Sequence, residues 1–93
     1  MQTATAGTLE SMDCLVAASR LAPGAGLSMT LEGTSVPRFR SSMEGSVRRV
    51  VADMGEKDLE VSVQDRGALD ITLEARVRTA LLRLRAQETG GAA

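Results

Sequence analysis

Hydrophobic positions change period along this chain, and the changes mark its elements. The run from Asp13 to Leu21, DCLVAASRL, is apolar and β-branched on both faces of an extended segment and predicts a strand. The stretch Ala22 to Gly26, APGAG, is a turn, with Pro23 and two glycines as punctuation. A strict alternation follows, with Leu27, Met29 and Leu31 on one side and Ser28, Thr30 and Glu32 on the other. That is a half-buried strand, and the short turn before it predicts a hairpin. From Phe39 the spacing becomes helical: Phe39, Met43, Val47, Val50, Val51 and Met54 form one stripe, broken at Gly55. Pro37 is tolerable only in the first turn of such a helix. Ser41 and Glu44 would make a capping box if the helix began that late. Alternation returns with Leu59, Val61 and Val63, and Asp65, Arg66 and Gly67 turn the chain. A second helix is expected from about Ala68 to Ala86, striped by Leu69, Leu73, Val77, Leu81 and Leu84.

The resulting order is β-β-α-β-α. It predicts a single α+β domain over residues 1–93, a two-layer sandwich of a small three-stranded sheet packed against two amphipathic helices. Residues 1–7 and 87–93 are expected to be loose ends. If the second and third predicted strands are parallel, a right-handed crossover through the first helix joins them. If both helices share one face, the other face of the sheet stays wet.

Composition narrows the chemistry. Phe39 is the one aromatic residue, so the core must come from Leu, Val, Ile, Met and Ala, and platforms for stacking nucleic-acid bases are missing. The net charge of −1 gives no basic excess, and a nucleic-acid partner is not expected. There is no histidine, which removes the usual general base and the commonest metal ligand. The start MQTATAGT is neither basic nor followed by a long apolar run, so no signal peptide or membrane span is expected and a cytoplasmic location fits.

Individual residues read blandly. Lys57, the sole lysine, lies in a charged turn and reads as a solvated side chain. Asp65 and Asp70 bracket a turn and a helix start, where capping is their ordinary duty. Cys14 reads as a small apolar strand residue, and Met29, Met43 and Met54 as core filler. Arg76, Arg78, Arg83 and Arg85 crowd the last helix. They suit either a solvated face complementing the helix dipole or a dock for an acidic partner. These residues describe a small α+β domain that is not an enzyme by itself, and they leave a binding or carrier role open.

The segment AGTLESMD, Ala6 to Asp13, resembles the signature of citrate lyase acyl carrier (gamma) subunits. DRGALD, Asp65 to Asp70, with the Leu/Arg-rich helix after it, resembles the same family, as do Ser35–Val36 and the Phe39–Met43–Val47 spacing. The resemblance runs from Ala6 to about Ala86. It implies that Ser11 carries a covalent 2'-(5''-phosphoribosyl)-3'-dephospho-CoA arm through a phosphodiester. It further implies a prosthetic-group transferase (holo-ACP synthase) that attaches the arm. An alpha (transferase) subunit would exchange acetyl for citrate on the arm's thiol, and a beta (lyase) subunit would cleave the citryl thioester to oxaloacetate. The carrier would deliver the acyl group and catalyse nothing. Many relatives have Gly or Ser after the modified serine, whereas this chain has the bulkier Met12. Glu10 and Asp13 flank Ser11 and would repel a phosphodiester, which favours a solvated arm. Competing readings are a malonate decarboxylase carrier, a four-helix phosphopantetheine carrier, and a small α+β interaction domain without a cofactor. The alternation from Leu27 and Leu59 argues against the four-helix form.

Overall fold

A computed structural model describes residues 2–90. Its elements in chain order are β1 (Thr3–Gly7), β2 (Cys14–Arg20), β3 (Leu27–Gly33), α1 (Val36–Asp53), β4 (Leu59–Asp65) and α2 (Asp70–Gly90). The α+β sandwich is as expected, but the sheet has four strands in the order β1-β2-β4-β3.

The additional strand is the supposed loose start. Ala4 and Ala6 point inward and are buried, while Thr3 and Thr5 are exposed. The alternation was present in the sequence, but alanine is weakly apolar and a poor strand former, so the signal is faint. Pairing makes up the difference. β1 runs antiparallel to β2 from Thr3 opposite Ser19 to Gly7 opposite Leu15. Small residues suit this position, because α2 packs directly over β1 and β2. Ala4, Ala6, Ala18 and Ala80 are all buried there.

The expected hairpin between β2 and β3 does not form. β4 lies between them, antiparallel to β2 and parallel to β3. Burial decides the order: Leu59, Val61 and Val63 of β4 are fully buried, as are Cys14, Val16 and Ala18 of β2. β3 has one buried side chain, Leu31, and suits an edge. The loop 22–26 therefore steps across the start of β4. Asp58 holds it there, its Oδ1 accepting from the Gly24 and Gly26 amides at 3.1 and 2.9 Å. A turn rich in glycine and proline reads the same from sequence whether it closes a hairpin or straddles a strand.

Both helices lie on one face and pack against each other. Val47, Val50, Val77, Leu81 and Leu84 meet the inward sheet residues in one core. The opposite face exposes Ser28, Thr30, Glu32, Glu60 and Gln64 to water. α1 begins at Val36, so Ser41 and Glu44 fall inside it and form no cap. Phe39 and Leu69, both expected in the core, are exposed instead.

α2 continues to Gly90, so residues 87–90 are helical, while 91–93 lie outside the described residues. Side chains fasten this end. Arg83 donates to the Thr5 carbonyl at 2.8 Å and Gln87 to the Thr3 carbonyl at 3.3 Å. Arg20 bridges Glu56 and Glu88, and Arg85 joins Glu56 and the Met54 carbonyl. Two of the four clustered arginines, Arg83 and Arg85, are thus used at this end of the fold, and a third, Arg76, is used at the other.

Candidate functional site

Ser11 lies in the loop between β1 and β2, at the sheet end where β4 and β3 also finish and where α1 and α2 start. The Asp13 amide donates to the Glu10 carbonyl at 3.1 Å, which makes Glu10 to Asp13 a β-turn with Ser11 as its second residue. Met12, the third, has φ +66°, a value that glycine adopts freely and methionine does not. The Met12 amide donates to the Arg66 carbonyl at 2.7 Å, and the Arg66 amide donates to the Asp13 carbonyl at 2.9 Å. Two residues of the loop therefore oppose one residue beyond β4. This is a G1-type bulge, a device that bends a strand and re-aims side chains at functional sites.

The bulge leaves Ser11 exposed at the turn tip. None of the side-chain hydrogen bonds among the described residues engages its hydroxyl. Thr8 closes the turn from within: its Oγ1 accepts from the Glu10 amide at 3.1 Å and donates to Asp13 Oδ2 at 2.7 Å.

Asp13 is not the free negative charge that its sequence position suggested. Arg76 grips it with two bonds, Nε to Oδ1 at 3.0 Å and Nη2 to Oδ2 at 2.9 Å. The Arg76 guanidinium, with help from the Thr8 hydroxyl and the Cys14 amide, holds the Asp13 carboxyl at about 2. The stabilisation this gives is complete above the ordinary aspartate range and fades as pH falls toward about 2. An anion on Ser11 would thus meet only Glu10 as an uncompensated carboxylate in the loop. Arg76 thus holds the Asp13 carboxylate in place, whereas sequence pattern alone left it on a solvated face or in a dock for an acidic partner.

Asp65 organises the other half of this end. It is 2% exposed, and its Oδ2 accepts from the Ser35 amide at 2.8 Å and its Oδ1 from the Ala68 amide at 3.0 Å. Burial pushes its carboxyl up, but those amides, the Ser35 hydroxyl and the Gly67 amide together hold it below the usual carboxylate range. Its backbone carbonyl also accepts from the Thr34 amide at 3.1 Å. The capping duty expected of Asp65 is therefore met twice, at the approaches to α1 and α2. Asp70 opens α2 as expected. Lys57 is exposed. Cys14 is fully buried, and burial, with the Asp13 and Asp65 charges, pushes its thiol up to about 11, which makes it unreactive.

The segments AGTLESMD, Ser35–Val36 and DRGALD, far apart in sequence, thus meet at one end of the sheet through Met12, Asp13, Asp65 and Arg66. The described residues contain no group of three or more acidic, Cys or His side chains fit to hold a metal. None of the described helices is long and apolar enough to cross a membrane.

Comparison with known proteins matches this chain over residues 1–84 to a family model described as the malonate decarboxylase delta subunit (MdcD). A citrate lyase acyl carrier protein of Haemophilus influenzae is 41% identical over 80 residues, covering 86% of this chain and 81% of that protein. One from Treponema denticola is 38% identical over 80 residues, covering 86% and 88%. One from Klebsiella pneumoniae is 41% identical over 88 residues, covering 92% and 87%. The chain belongs to the citrate lyase acyl carrier protein family. An acyl carrier role follows from that membership.

Met12 gives the carrier a testable strain. The side chain is 65% exposed, so little packing is lost on removing it. Met12→Gly should stabilise the protein by about 1 kcal/mol, because the left-handed conformation costs a residue with a Cβ that much or more. Urea unfolding would show it as a raised midpoint, and an unchanged or lowered midpoint would contradict it.

Proposed function

We propose that Ser11 carries a 2'-(5''-phosphoribosyl)-3'-dephospho-CoA arm and that the carrier presents it to the transferase and lyase subunits of a citrate lyase complex. The observation that supports this reading is the exposed, unengaged hydroxyl at the tip of a bulged turn. When bound, the arm supplies a thiol that holds the acyl group as a thioester. The donor chemistry fits: a primary alcohol in solvent is accessible to a modifying enzyme and suited to a phosphodiester, and Arg76 has already neutralised one of the two flanking carboxylates, Asp13.

The residues of the carrier fix where the hydroxyl stands. Thr8, Asp13, Arg66 and Arg76 lock the loop from four directions, so that Ser11 is displayed on a rigid base. Rigidity of the base and length of the tether serve different ends. The base gives a modifying enzyme one conformation to recognise. The tether keeps an acyl group near each partner at an effective concentration on the order of millimolar. Bond making and breaking are left to the partners.

Ser11→Ala should leave the circular-dichroism spectrum and the unfolding midpoint within error of the parent. It should also abolish the mass gain that the parent shows after co-expression with the prosthetic-group transferase. A mass gain that persists in Ser11→Ala would exclude this attachment point. The match to the malonate decarboxylase model supports a second reading of the acyl substrate. Supplying the native complex with citrate and, separately, with malonate, then weighing the carrier, distinguishes the two by which acid exchanges onto it.

A further inference from the structure

A groove of about 410 Å³ opens between the first turns of α1 and α2, beside the Ser11 loop. Its walls include Phe39, Met43 and Leu69, its rim carries Ser42 and Asp70, and Gly67 lies at the edge nearest the loop. That volume falls within the range of small-molecule sites. α1 breaks from helical geometry at Phe39, with φ −124° and ψ 22°. The ring sits half exposed at the groove, with the Arg38 guanidinium 5.4 Å from its centroid. Leu69 is likewise exposed. The one aromatic residue of the chain and a large aliphatic one thus line the same groove and are open to water, as Leu9, Met12, Ile71 and Leu82 are elsewhere on the surface.

We propose that this groove is the resting site of the distal, pantetheine-thioester end of the arm carried by Ser11. The inference rests on Ser11 being the attachment point. Two observations and one general argument support this occupant. The first is distance. Arg66 bonds the Met12 amide at 2.7 Å and its next residue, Gly67, lines the groove. Covalent geometry then keeps Ser11 Cα within about 8 Å of Gly67 Cα, well inside the reach of an arm of this length. The second is chemistry. A pantetheine chain alternates aliphatic stretches with amides, and the groove pairs apolar walls with hydroxyl and carboxylate groups at its rim. The third is affinity. A tethered group has an effective concentration on the order of millimolar, so a site with only millimolar affinity is substantially filled. Such weak holding shelters the thioester between visits and releases it to a partner without cost to delivery.

The test uses the apo and holo forms of the full chain. Amide NMR spectra should differ between the two at Phe39, Ser42, Gly67 and Leu69 as well as in the loop. Iodoacetamide should alkylate the arm's thiol on the intact holo-protein at least about twofold more slowly than it alkylates free coenzyme A. Cys14 is fully buried with its thiol pushed up to about 11, so it does not contribute to the mass change. Leu69→Ser and Phe39→Ser should each bring the arm's rate toward that of coenzyme A. Spectral differences confined to residues 9–13, or a parent rate equal to that of coenzyme A, would overturn the groove while leaving the attachment intact. A holo-protein without any adduct on Ser11 would overturn both.

Discussion

Asp65→Ala is expected to lower the stability of the carrier by about 4 kcal/mol, because it leaves two part-buried amides without acceptors at a cost of roughly 1–3 kcal/mol each. The amides are those of Ser35 and Ala68, one at the approach to each helix. Ser35 is the N-cap of α1, and its own amide, which its side chain cannot satisfy, finds its acceptor in the Asp65 carboxylate. A loss of that size is a large share of the total stability of a domain this small. Urea unfolding measures it, and a midpoint close to that of the parent would show that water replaces the carboxylate. The pH dependence has a definite sign. The folded carboxyl is held below its usual range, so its contribution is complete above the ordinary aspartate pKa and is lost as the solution is acidified through the folded value. The difference in stability between parent and Asp65→Ala should therefore narrow in acid.

Gly7→Ala should be nearly as damaging and should also disturb the site. Gly7 ends β1 with φ +98°, and a Cβ placed there would lie 1.9 Å from the Cys14 carbonyl oxygen. That oxygen is backbone at the loop end of the β1–β2 pairing, next to the Gly7–Leu15 pair, and Cys14 is also paired with Asp65 of β4, so it cannot swing aside. Relief requires the strands to part at the foot of the Ser11 loop. The expected loss is about 4 kcal/mol, combining backbone strain with overpacking. Gly24 provides the control. Its φ of +89° is similar, but a Cβ there meets nothing within 4 Å, so Gly24→Ala should show the conformational strain alone, about 1 kcal/mol. If the two variants lose the same amount, the close approach at Cys14 does not matter. The glycine of AGTLES thus has a steric reason to be there, independent of any role in recognition.

The fold class was legible because the strongest signals were periodic. Leu27, Met29 and Leu31 alternate, the stripe from Met43 to Val51 repeats as a helix does, and Gly55 stops that helix at φ +66°. The strand order was not legible. Each strand signals its own burial, whereas neighbour choice depends on which buried face competes best for the centre. β4 won that place with Leu59, Val61 and Val63. β1 escaped notice because its inward residues are alanines, chosen for the approach of α2 and not for hydrophobicity. At the site, Ser11 was reachable only through the family motif, since an isolated serine before a strand has no distinguishing chemistry. The roles of Arg76 and Arg66 had no local signal at all. Arg76 reaches Asp13 and Arg66 reaches Met12 across more than half the chain, through contacts that only the closed sheet creates.

The closing of the bulge by Arg66 ties the braced display of the hydroxyl to the presence of a residue far along the chain. A nascent polypeptide released or stalled before Arg66 exposes Ser11 on a floppy, unbraced strand end. On the proposed reading, a transferase that recognises the braced shape would pass it over. A fragment truncated before Arg66 should accordingly gain no mass beside full-length carrier in the same cell. On the proposed attachment to Ser11, cofactor would then be spent only on copies long enough to brace the loop.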